Sequence, residues 1–462
     1  MTRNNKTGVI FFPAFDWAIS PTHPEREERL LYTRDEIFEE GVMDLAEVEE
    51  LTPRLSTIHD IARVHFCVPR VQSQITEAHL IASGSSLVLA DKIRLRELKN
   101  GFAIVRPPGH HAMRVVHGNR GFCNINNEAI LVEYLRRNYG LKKIAIVDSD
   151  VHHGDGTQDI FYHDPDLLFI SFHQDGRTIY PGTGFTNELG GPSAYARTLN
   201  VPLPPGSGNE TMHYVLDNLV LPILKEFQPE FVINSAGQDC HYSDPLGSLN
   251  FSSQGYAEFT RKLRPDLAVL EGGYAIETAL PYLNLAILMA LAGEDYRNVR
   301  EPDYNPNKHR EKPENAARVA KVVKEITQVW QDRDRFDPDM FFGRDKFFRR
   351  PKSIFYDTDY VEEEQTESLR RCSDCSGYLT IESRSLHNYG EDVHIFAVSI
   401  PFGACANCQA EGYEAYEYAK KYSRQYDYLY LQDKSMDTCK AFERFNNQEW
   451  VSEGPKAGDA DV

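Results

Sequence analysis

Residues 143–156 read KIAIVDSDVHHGDG, a nearly unbroken apolar run that ends in aspartates and histidines. A run of this kind is typical of a strand buried on both faces, as in a parallel sheet that helices cover. The neighbouring sequence holds four more candidate strands, at 101–105, 167–172, 230–235 and 267–271. Segments with helical periodicity lie among them, at 125–138, 209–227 and 276–292. This alternation predicts an α/β fold with a largely parallel sheet flanked by helices.

The whole chain has the length and composition of a folded protein with more than one domain. Its 462 residues predict about two or three domains, and 41% hydrophobic residues suffice to bury a core. The net charge of −19 argues against a nucleic-acid partner, because that affinity comes from Lys and Arg neutralising phosphates. The apolar runs are too short to span a membrane, and residues 1–20 lack the apolar core of a signal peptide. We therefore expect a soluble, cytoplasmic protein with no membrane partner.

The cysteines divide the chain into two unequal parts. Five of the eight lie in the last quarter, at Cys372, Cys375, Cys405, Cys408 and Cys439. The other three are isolated and predicted to be small buried apolar residues: Cys67, Cys123 and Cys240. We expect a catalytic unit at 1–335, a charged linker at 336–369, and a small β-rich unit at 370–462 with a Tyr-rich helix within 411–432.

Polar residues follow four of the five candidate strands at the point where each strand ends. In α/β sheets, ligands bind just beyond the carboxyl ends of the strands. Four separate strand ends that deliver histidine, aspartate and tyrosine predict a metal-centred active site. The residues concerned are His110 and His111 after the first strand, Asp148, Asp150, His152, His153 and Asp155 after the second, Asp239 and Asp244 after the fourth, and Tyr274 after the fifth.

The segment after the second strand has the spacing of a metal-ligand set. If the chain stays extended there, Asp148, Asp150 and His152 point to the same side. Such residues, with one coordination position left open, suit a catalytic divalent ion, typically zinc. The alternative is a polar loop in which the aspartates cap the next helix and the histidines are merely exposed. For Tyr274 the alternative is a structural tyrosine anchored through its hydroxyl.

The residues in these positions resemble a known family. The segments RPPGHHA (106–112), GFCNINNEAI (121–130), VDSDVHHGDGTQDIF (147–161), YPGTG (180–184), SAGQDCHYSDPLG (235–247) and LEGGY (270–274) occur in the order seen in zinc-dependent histone deacetylases. That family includes bacterial histone deacetylase-like amidohydrolases and acetylpolyamine amidohydrolases. The resemblance covers about residues 8–295, and HPEREERL at 23–30 is similar to the family's HPER segment. It implies an arginase/deacetylase-type fold for the catalytic unit.

The resemblance also implies a role for each matching residue. The catalytic zinc ligands would be Asp150, His152 and Asp239. The tandem histidines beside the attacking water would be His110 and His111, oriented by Asp148 and Asp155. Tyr274 would polarise the scissile carbonyl. The tunnel for the acyl-lysine stem would be lined by Gly121, Phe122 and Tyr180. An inner potassium site would be formed by Asp148, Asp150, His152, Ser171 and Phe172.

One position bears on the substrate. By the resemblance, Leu246 faces the tunnel mouth, where a glutamate goes with selection of cationic acetylpolyamines. An apolar residue there goes with acyl-lysine or another uncharged stem. The interval from Asp239 to Tyr274 is shorter than is typical of the family, which we expect to trim the helix at 254–264 and to leave the site intact.

The C-terminal cysteines resemble a zinc ribbon. Two CxxC pairs can wrap one tetrahedral zinc ion in four thiolates. The pairs are Cys372 with Cys375 and Cys405 with Cys408. The alternatives are two disulfides, which a cytosolic setting disfavours, and a redox pair, which usually needs one CxxC. The acidic, Tyr-rich surroundings favour protein contact, including self-association into a homo-oligomer, over nucleic-acid binding.

Together these patterns predict a zinc-dependent amidohydrolase that removes acetyl or other acyl groups from lysine side chains or similar amides by metal-activated water. The alternatives are an acetylpolyamine or small-molecule amide deacetylase, which Leu246 disfavours, and a catalytically silent binding module. The intact histidines, aspartates and Tyr274 speak against the silent module. A binuclear manganese site of the arginase type would need further ligands where Tyr274 stands.

Overall fold

A computed structural model describes residues 5–387 and 390–454. The ends of the predicted units, 1–4 and 455–462, lie outside the described residues. The described chain forms an N-terminal unit (5–335) around one large sheet and a C-terminal unit (338–454) around another. The predicted fold class is confirmed: a mainly parallel sheet flanked by helices is followed by a β-rich unit with a four-cysteine cluster that fits a zinc ribbon.

The N-terminal unit is built on eight parallel strands in the order β2-β1-β4-β10-β9-β6-β7-β8. Strands β3 and β5 form a separate pair. In chain order the strands are β1 (Thr7–Phe12), β2 (Val48–Glu50), β3 (Phe66–Cys67), β4 (Asn100–Val105), β5 (Val115–Val116), β6 (Ile144–Asp148), β7 (Leu167–Gln174), β8 (Thr198–Leu203), β9 (Phe231–Ala236) and β10 (Leu267–Leu270). All five predicted strands are confirmed. The other three strands of the sheet, β1, β2 and β8, were not predicted, and in β8 Asn200 and Pro202 interrupt the apolar pattern.

Helices cover both faces of this sheet. They are α1 (Thr33–Glu39), α2 (Ile58–Ala62), α3 (Pro69–Gln74), α4 (Glu77–Arg94), α5 (Asn127–Tyr139), α6 (Asp155–Phe161), α7 (Asn209–Val215), α8 (Leu221–Phe227), α9 (Ser253–Leu263), α10 (Leu280–Ala292) and α11 (Pro313–Asp332). The predicted helix at 209–227 is present, with a π-helical turn between α7 and α8. The sheet is buried on both sides, as its unbroken apolar strands predict.

The C-terminal unit contains seven strands in sequence order, from β11 to β17. Its elements are α12 (Pro338–Phe342), β11 (Phe347–Tyr356), β12 (Val361–Arg370), β13 (Leu379–His387), β14 (Asp392–Ile400), α13 (Ala406–Tyr422), β15 (Tyr428–Asp433), β16 (Thr438–Glu443) and β17 (Gln448–Glu453). All neighbouring strands are antiparallel except β14 and β15, which are parallel and joined through α13. Part of the predicted Tyr-rich helix is therefore the strand β15.

The predicted linker at 336–369 is wrong, because most of it lies in α12, β11 and β12. Side chains of β12 alternate between buried and more exposed positions, as in a strand with one buried face. Two of the buried positions are Glu363 and Glu367, which a hydropathy pattern would place on the surface. Both glutamates are buried and paired: Glu363 accepts from Tyr356 at 2.8 Å, and Glu367 accepts from Lys352 at 3.0 Å. Pairing is what makes buried carboxylates tolerable.

The two units share an apolar core, although the cysteine distribution suggested separate units. One continuous cluster joins side chains of β4 and β6 to Leu379 and Ile395 of the C-terminal sheet. Tyr430 of β15 packs against Phe66 with ring centroids 5.5 Å apart and donates to the carbonyl of Cys67 at 2.8 Å. Among the described helices, none has the length and apolar character needed to cross a lipid bilayer.

Candidate active site

The order of the strands brings the predicted site residues together. Strands β4, β10, β9 and β6 are neighbours in the parallel sheet, so their carboxyl ends meet at the same edge. A cavity of about 310 Å³ opens at that edge. It is lined by Pro108, His110, His111, Gly121, Phe122, Asp150, His152, Ile179, Tyr180, Asp239, Leu246, Tyr274 and Asp357.

Three of these residues form a compact group of metal-ligand type. One ligand atom from each of Asp150, His152 and Asp239 lies within 4.8 Å of the others. The imidazole Nδ1 of His152 is 3.2 Å from Asp150 Oδ1 and 3.2 Å from Asp239 Oδ2. Backbone amides hold the carboxylates, because Gly272 donates to Asp150 at 2.8 Å and Val151 donates to Asp239 at 2.8 Å. Both carboxylates are fully buried.

Two glycines leave the room that this group needs. A Cβ on Gly272 would lie 2.0 Å from Asp239 Oδ2 and 2.5 Å from Asp150 Oδ2. A Cβ on Gly237 would lie 2.1 Å from Asp150 Oδ2. Any side chain at either position would displace the carboxylates, so the backbone must approach them directly.

The adjacent histidines each face a different carboxylate. Nδ1 of His110 is 3.1 Å from Asp148 Oδ2, and Nδ1 of His111 is 2.8 Å from Asp155 Oδ1. Burial by itself lowers the pKa of His110, but the carboxylates of Asp150 and Asp148 raise that pKa to about 10. Burial lowers the pKa of His111 well below its ordinary value, and the neighbouring His110 lowers it further. The two imidazoles therefore differ in their affinity for a proton.

Tyr274 presents a free hydroxyl to the cavity. Its backbone amide donates to Asp244 at 2.6 Å, which fixes the chain at this point. The ring meets Phe122 edge-on with centroids 5.4 Å apart, and the guanidinium of Arg29 lies 4.8 Å from the ring centroid. Burial raises the pKa of the tyrosine well above its ordinary value, so the hydroxyl keeps its proton. The hydroxyl makes no hydrogen bond within the described chain, unlike a structural tyrosine.

The predicted tunnel residues lie around the outer part of the same cavity. Gly121 has φ of +52°, and a Cβ there would lie 2.3 Å from the His111 ring, so this position requires glycine. The ring of Tyr180 meets His111 edge-on, with centroids 5.2 Å apart. Leu246 is half-buried and lines the cavity.

The implied potassium site shares Asp150 and His152 with the metal-ligand group, and its other residues lie on β6 and β7. Asp148 of β6 pairs in register with Ser171 of β7, and Phe172 follows in the same strand. The backbone amide of Asp150 donates to Asp148 at 3.1 Å. Ser171 Oγ is 2.8 Å from the imidazole of His173.

Sequence reasoning missed a buried charge cluster behind Tyr274. Glu25 lies 2.8 Å from Arg29 and 2.7 Å from Arg106, and none of the three side chains is exposed to solvent. Arg29 also donates to the carbonyl of Gly273 at 2.8 Å. This hydrogen bond fixes the position of the backbone immediately before Tyr274. The signal was present, since Glu25 and Arg29 fall in HPEREERL and Arg106 begins RPPGHHA.

Asp357 also lines the cavity, and sequence reasoning gave it no role. It lies in the turn between β11 and β12 of the C-terminal unit, inside the interval predicted as a linker. Its Oδ1 accepts from the hydroxyl of Tyr180 at 3.0 Å and from the backbone amide of Gly121 at 2.8 Å. No local pattern could have indicated this contact.

A second group of metal-ligand type lies in the C-terminal unit. Its four sulfur atoms lie within 4.8 Å of one another, and the contributing residues are Cys372, Cys375, Cys405 and Cys408. All four are free thiols. A hydrogen bond from the backbone amide of Asp374 lowers the pKa of Cys372 to about 7. The remaining cysteines are isolated and buried, at Cys67, Cys123, Cys240 and Cys439.

Comparison with known proteins agrees with this geometry. The sequence profile of the histone deacetylase domain matches residues 47–290, more than half of the chain. A "Probable deacetylase" of Archaeoglobus fulgidus is 40% identical over 325 residues, covering 64% of this chain and 89% of the relative. "Histone deacetylase 14, chloroplastic" of Arabidopsis thaliana is 34% identical, covering 59% of this chain and 74% of the relative. The crystal structure of the HDA15 HD domain superposes with a TM-score of 0.61 at 29% identity, covering 71% of this chain and 96% of that one.

The fold and site are thus those of an α/β hydrolytic enzyme, with a metal-ligand group of two aspartates and one histidine at the edge of a parallel sheet. The chain belongs to the histone deacetylase family. The matched profile ends at residue 290, so the C-terminal unit lies outside it.

Proposed function

We propose that this protein is a zinc-dependent amidohydrolase that removes acetyl or other acyl groups from lysine side chains or similar amides. One observation carries the proposal: a metal-ligand group, two carboxylate-paired histidines and an unengaged tyrosine hydroxyl surround one cavity. The names of its relatives, which are deacetylases and a histone deacetylase-like amidohydrolase of Pseudomonas aeruginosa 33% identical to this chain, support the same reaction class.

The residues present fit a zinc ion. Asp150 and Asp239 are buried carboxylates, and buried negative charge requires a positive partner. Two carboxylates and one imidazole form a donor set that leaves a position open, as catalytic zinc sites do. When bound, zinc supplies Lewis acidity and lowers the pKa of water toward about 7.

The other residues would move protons and stabilise charge. Asp155 fixes Nδ1 of His111 and leaves Nε2 to accept a proton from the attacking water. Asp148 fixes His110 in the same way, so that a proton can pass to the leaving amine. The hydroxyl of Tyr274 donates a hydrogen bond to the carbonyl oxygen as negative charge develops there.

Two further cation sites belong to the proposal. Four thiolates from Cys372, Cys375, Cys405 and Cys408 would enclose a structural zinc with no open position. A potassium ion would be held by Asp148, Asp150, His152, Ser171 and Phe172, partly through backbone carbonyls. It would balance the charge of the fully buried Asp148.

The outer lining of the cavity favours an uncharged stem. Phe122, Ile179 and Leu246 offer apolar surface to the methylene groups of a lysine side chain. The charge of Asp357 at the same cavity favours a second candidate, hydrolysis of acetylated polyamines. Both candidates use the same chemistry and differ in the group that follows the acylated amine.

A substrate panel on zinc-loaded protein tests the proposal. Acyl-lysine peptides with several acyl groups and mono-acetylated polyamines are compared by release of the free amine. We expect hydrolysis of at least one acyl-lysine peptide, abolished by a chelator and restored by zinc. If the zinc-loaded protein hydrolyses none of these compounds, the proposal is overturned in favour of a catalytically silent binding module.

A further inference from the structure

The turn between β11 and β12 reaches from the C-terminal unit into the wall of the cavity. Its tip is fixed at two points on the loop that carries the tunnel residues. Asp359 Oδ2 accepts from the backbone amide of Asn119 at 2.7 Å, and Asp357 Oδ1 accepts from Gly121 at 2.8 Å. A Cβ on Gly118 would lie 2.7 Å from Asp359 Oδ2, so the two loops are in direct contact.

The strands on either side of this turn anchor it further. Tyr356 at the end of β11 is fully buried, and its hydroxyl oxygen lies 2.9 Å from the carbonyl oxygen of Val115 in the N-terminal unit. The first residue of β12, Val361, is buried as well and belongs to a small apolar cluster with Met113. The turn is therefore held in a fixed position in the cavity wall by buried residues on both sides.

Within this turn, only half of the Asp357 carboxylate is used. Oδ1 accepts hydrogen bonds from Gly121 and Tyr180, whereas Oδ2 accepts none from the described residues. The side chain is half-buried, in contrast to the fully buried Asp150 and Asp239. It therefore lies toward the open end of the cavity with an unengaged, negatively charged oxygen.

Asp357 forms no ion pair within the described residues, although Arg120 and His23 are close enough to interact with its charge. The nearby guanidinium of Arg120 is already paired with Asp155 at 2.7 Å. Beyond the metal-ligand group and the two histidines, Asp357 is the one charged side chain that the described lining contains. Its neighbours in the outer lining are apolar, among them Leu246 and Ile179.

We propose that Asp357 is a specificity-determining residue, through which the C-terminal unit selects substrates that carry a positive charge beside the acylated amine. This inference rests on the proposed hydrolase function. The cation could be a second amino group of a small acylated amine or a basic side chain that flanks an acyl-lysine in a peptide. In either source, an ammonium or guanidinium group donates to Oδ2 of Asp357 and gains Coulomb attraction.

The substitution Asp357→Asn separates charge from positioning. The asparagine oxygen can still accept from Gly121 and Tyr180, while the amide group replaces the free charged oxygen. The control is Asp392→Asn, which makes the same charge change on β14 at an exposed pair with Arg384. A control on the same unit excludes an effect of net charge.

Two matched substrate pairs identify the source of the cation. The small pair is mono-acetylated hexanediamine and N-hexylacetamide, and the peptide pair is an acetyl-lysine flanked by arginine or by norleucine. We expect wild-type protein to prefer the charged member of at least one pair by roughly fivefold to twentyfold in kcat/KM, mostly through KM. Asp357→Asn should reduce that preference to less than about twofold, because kcat/KM falls more for the charged member than for the uncharged one. Asp392→Asn should retain the wild-type preference.

An unchanged preference in Asp357→Asn, or no preference in the wild type, overturns the proposal. The affected pair shows whether the charge comes from a small amine or from a peptide. The dissociation constants of the same four compounds, measured calorimetrically with Tyr274→Phe protein, provide a readout that needs no turnover. If charged compounds bind more tightly only when Asp357 is present but wild-type protein hydrolyses nothing, the hydrolase function fails and the specificity role stands.

Discussion

Arg63 of the N-terminal unit and Asp437 of the C-terminal unit form a two-point ion pair, with Nε–Oδ1 at 2.6 Å and Nη2–Oδ2 at 2.9 Å. Both side chains are buried, and His59 lies 3.0 Å from the same carboxylate. A second buried pair joins Lys434 to Glu133 at 2.7 Å. The units are therefore held together by paired charges as well as by a common apolar core.

Asp437→Asn should destabilise the whole chain. Arg63 keeps a second carboxylate partner, Asp60, when Asp437 is replaced. We therefore expect a loss of about 1–2 kcal/mol of unfolding free energy, below the cost of leaving a buried charge wholly unpaired. Chemical denaturation at neutral pH measures the difference. Asp392→Asn, at an exposed pair, should leave stability unchanged. Equal stability of Asp437→Asn and wild type would show that the pair does not contribute.

The same variant should lose its effect in acid. Burial alone would raise the pKa of Asp437, but hydrogen bonds from Arg63 and His59 hold it well below its ordinary value. A lowered pKa stabilises the fold above the unfolded carboxyl pKa of about 3.9, and this stabilisation fades as pH falls below it. The stability difference between wild type and Asp437→Asn should therefore shrink below about pH 4. A difference that grows on acidification would contradict this assignment.

Asp239→Asn should reduce catalytic zinc and activity together. The amide oxygen can still accept from Val151, so the fold is retained, but a neutral amide is a poor zinc ligand. Elemental analysis and an acetyl-lysine assay provide the two measurements. One zinc per chain should remain, held by the C-terminal cysteines. Unaltered zinc content with full activity would exclude Asp239 as a ligand.

Tyr274→Phe should lower kcat by about 10²–10³ with little change in KM. The hydroxyl contributes mainly when charge develops on the carbonyl oxygen, so ground-state binding is largely spared. Steady-state kinetics on one peptide substrate separates the two constants. A near-normal kcat would make Tyr274 a structural residue.

Leu246→Glu should raise the preference for cationic substrates. A carboxylate about 4 Å from an ammonium group gains about 4 kcal/mol before desolvation, which leaves a net gain of about 1–2 kcal/mol. Introduced into the Asp357→Asn background, it should restore the preference that the asparagine removes. Relative kcat/KM for acetylpolyamine and acetyl-lysine peptide measures this. No change in either background would show that position 246 does not face the substrate.

Replacing Cys372 and Cys375 together by serine should remove one zinc per chain. Because the two units share a core, the loss should also lower the stability of the N-terminal unit and not just unfold the region around the cysteines. Zinc analysis and thermal unfolding test both effects. Cys439→Ser, a buried cysteine outside the cluster, should keep both zinc ions. Two zinc ions in the double variant would refute the four-thiolate site.

Much of the N-terminal unit follows from local sequence. Its strands are apolar on both faces because helices cover both sides of the sheet. Such strands can be recognised from the local sequence as unbroken apolar runs. The site residues sit directly after those strands, and parallel order brings the ends of β4, β6, β9 and β10 to one edge. The paired cysteines were equally visible, since the spacing of a CxxC knuckle is local.

The contribution of the C-terminal unit was decided by tertiary structure alone. Strand β12 carries two buried glutamates, so its hydropathy predicts a solvent-exposed linker. Their partners come from β11: Lys352 pairs with Glu367, and the Tyr356 hydroxyl donates to Glu363. Asp357 reaches the cavity through contacts with Gly121 and Tyr180, which lie 236 and 177 residues away in the chain. Such a contact leaves no periodicity in the sequence, because its partners lie in loops of the other unit. Sequence by itself determined the chemistry of the site, and only the packing of the two sheets decided what lines its entrance.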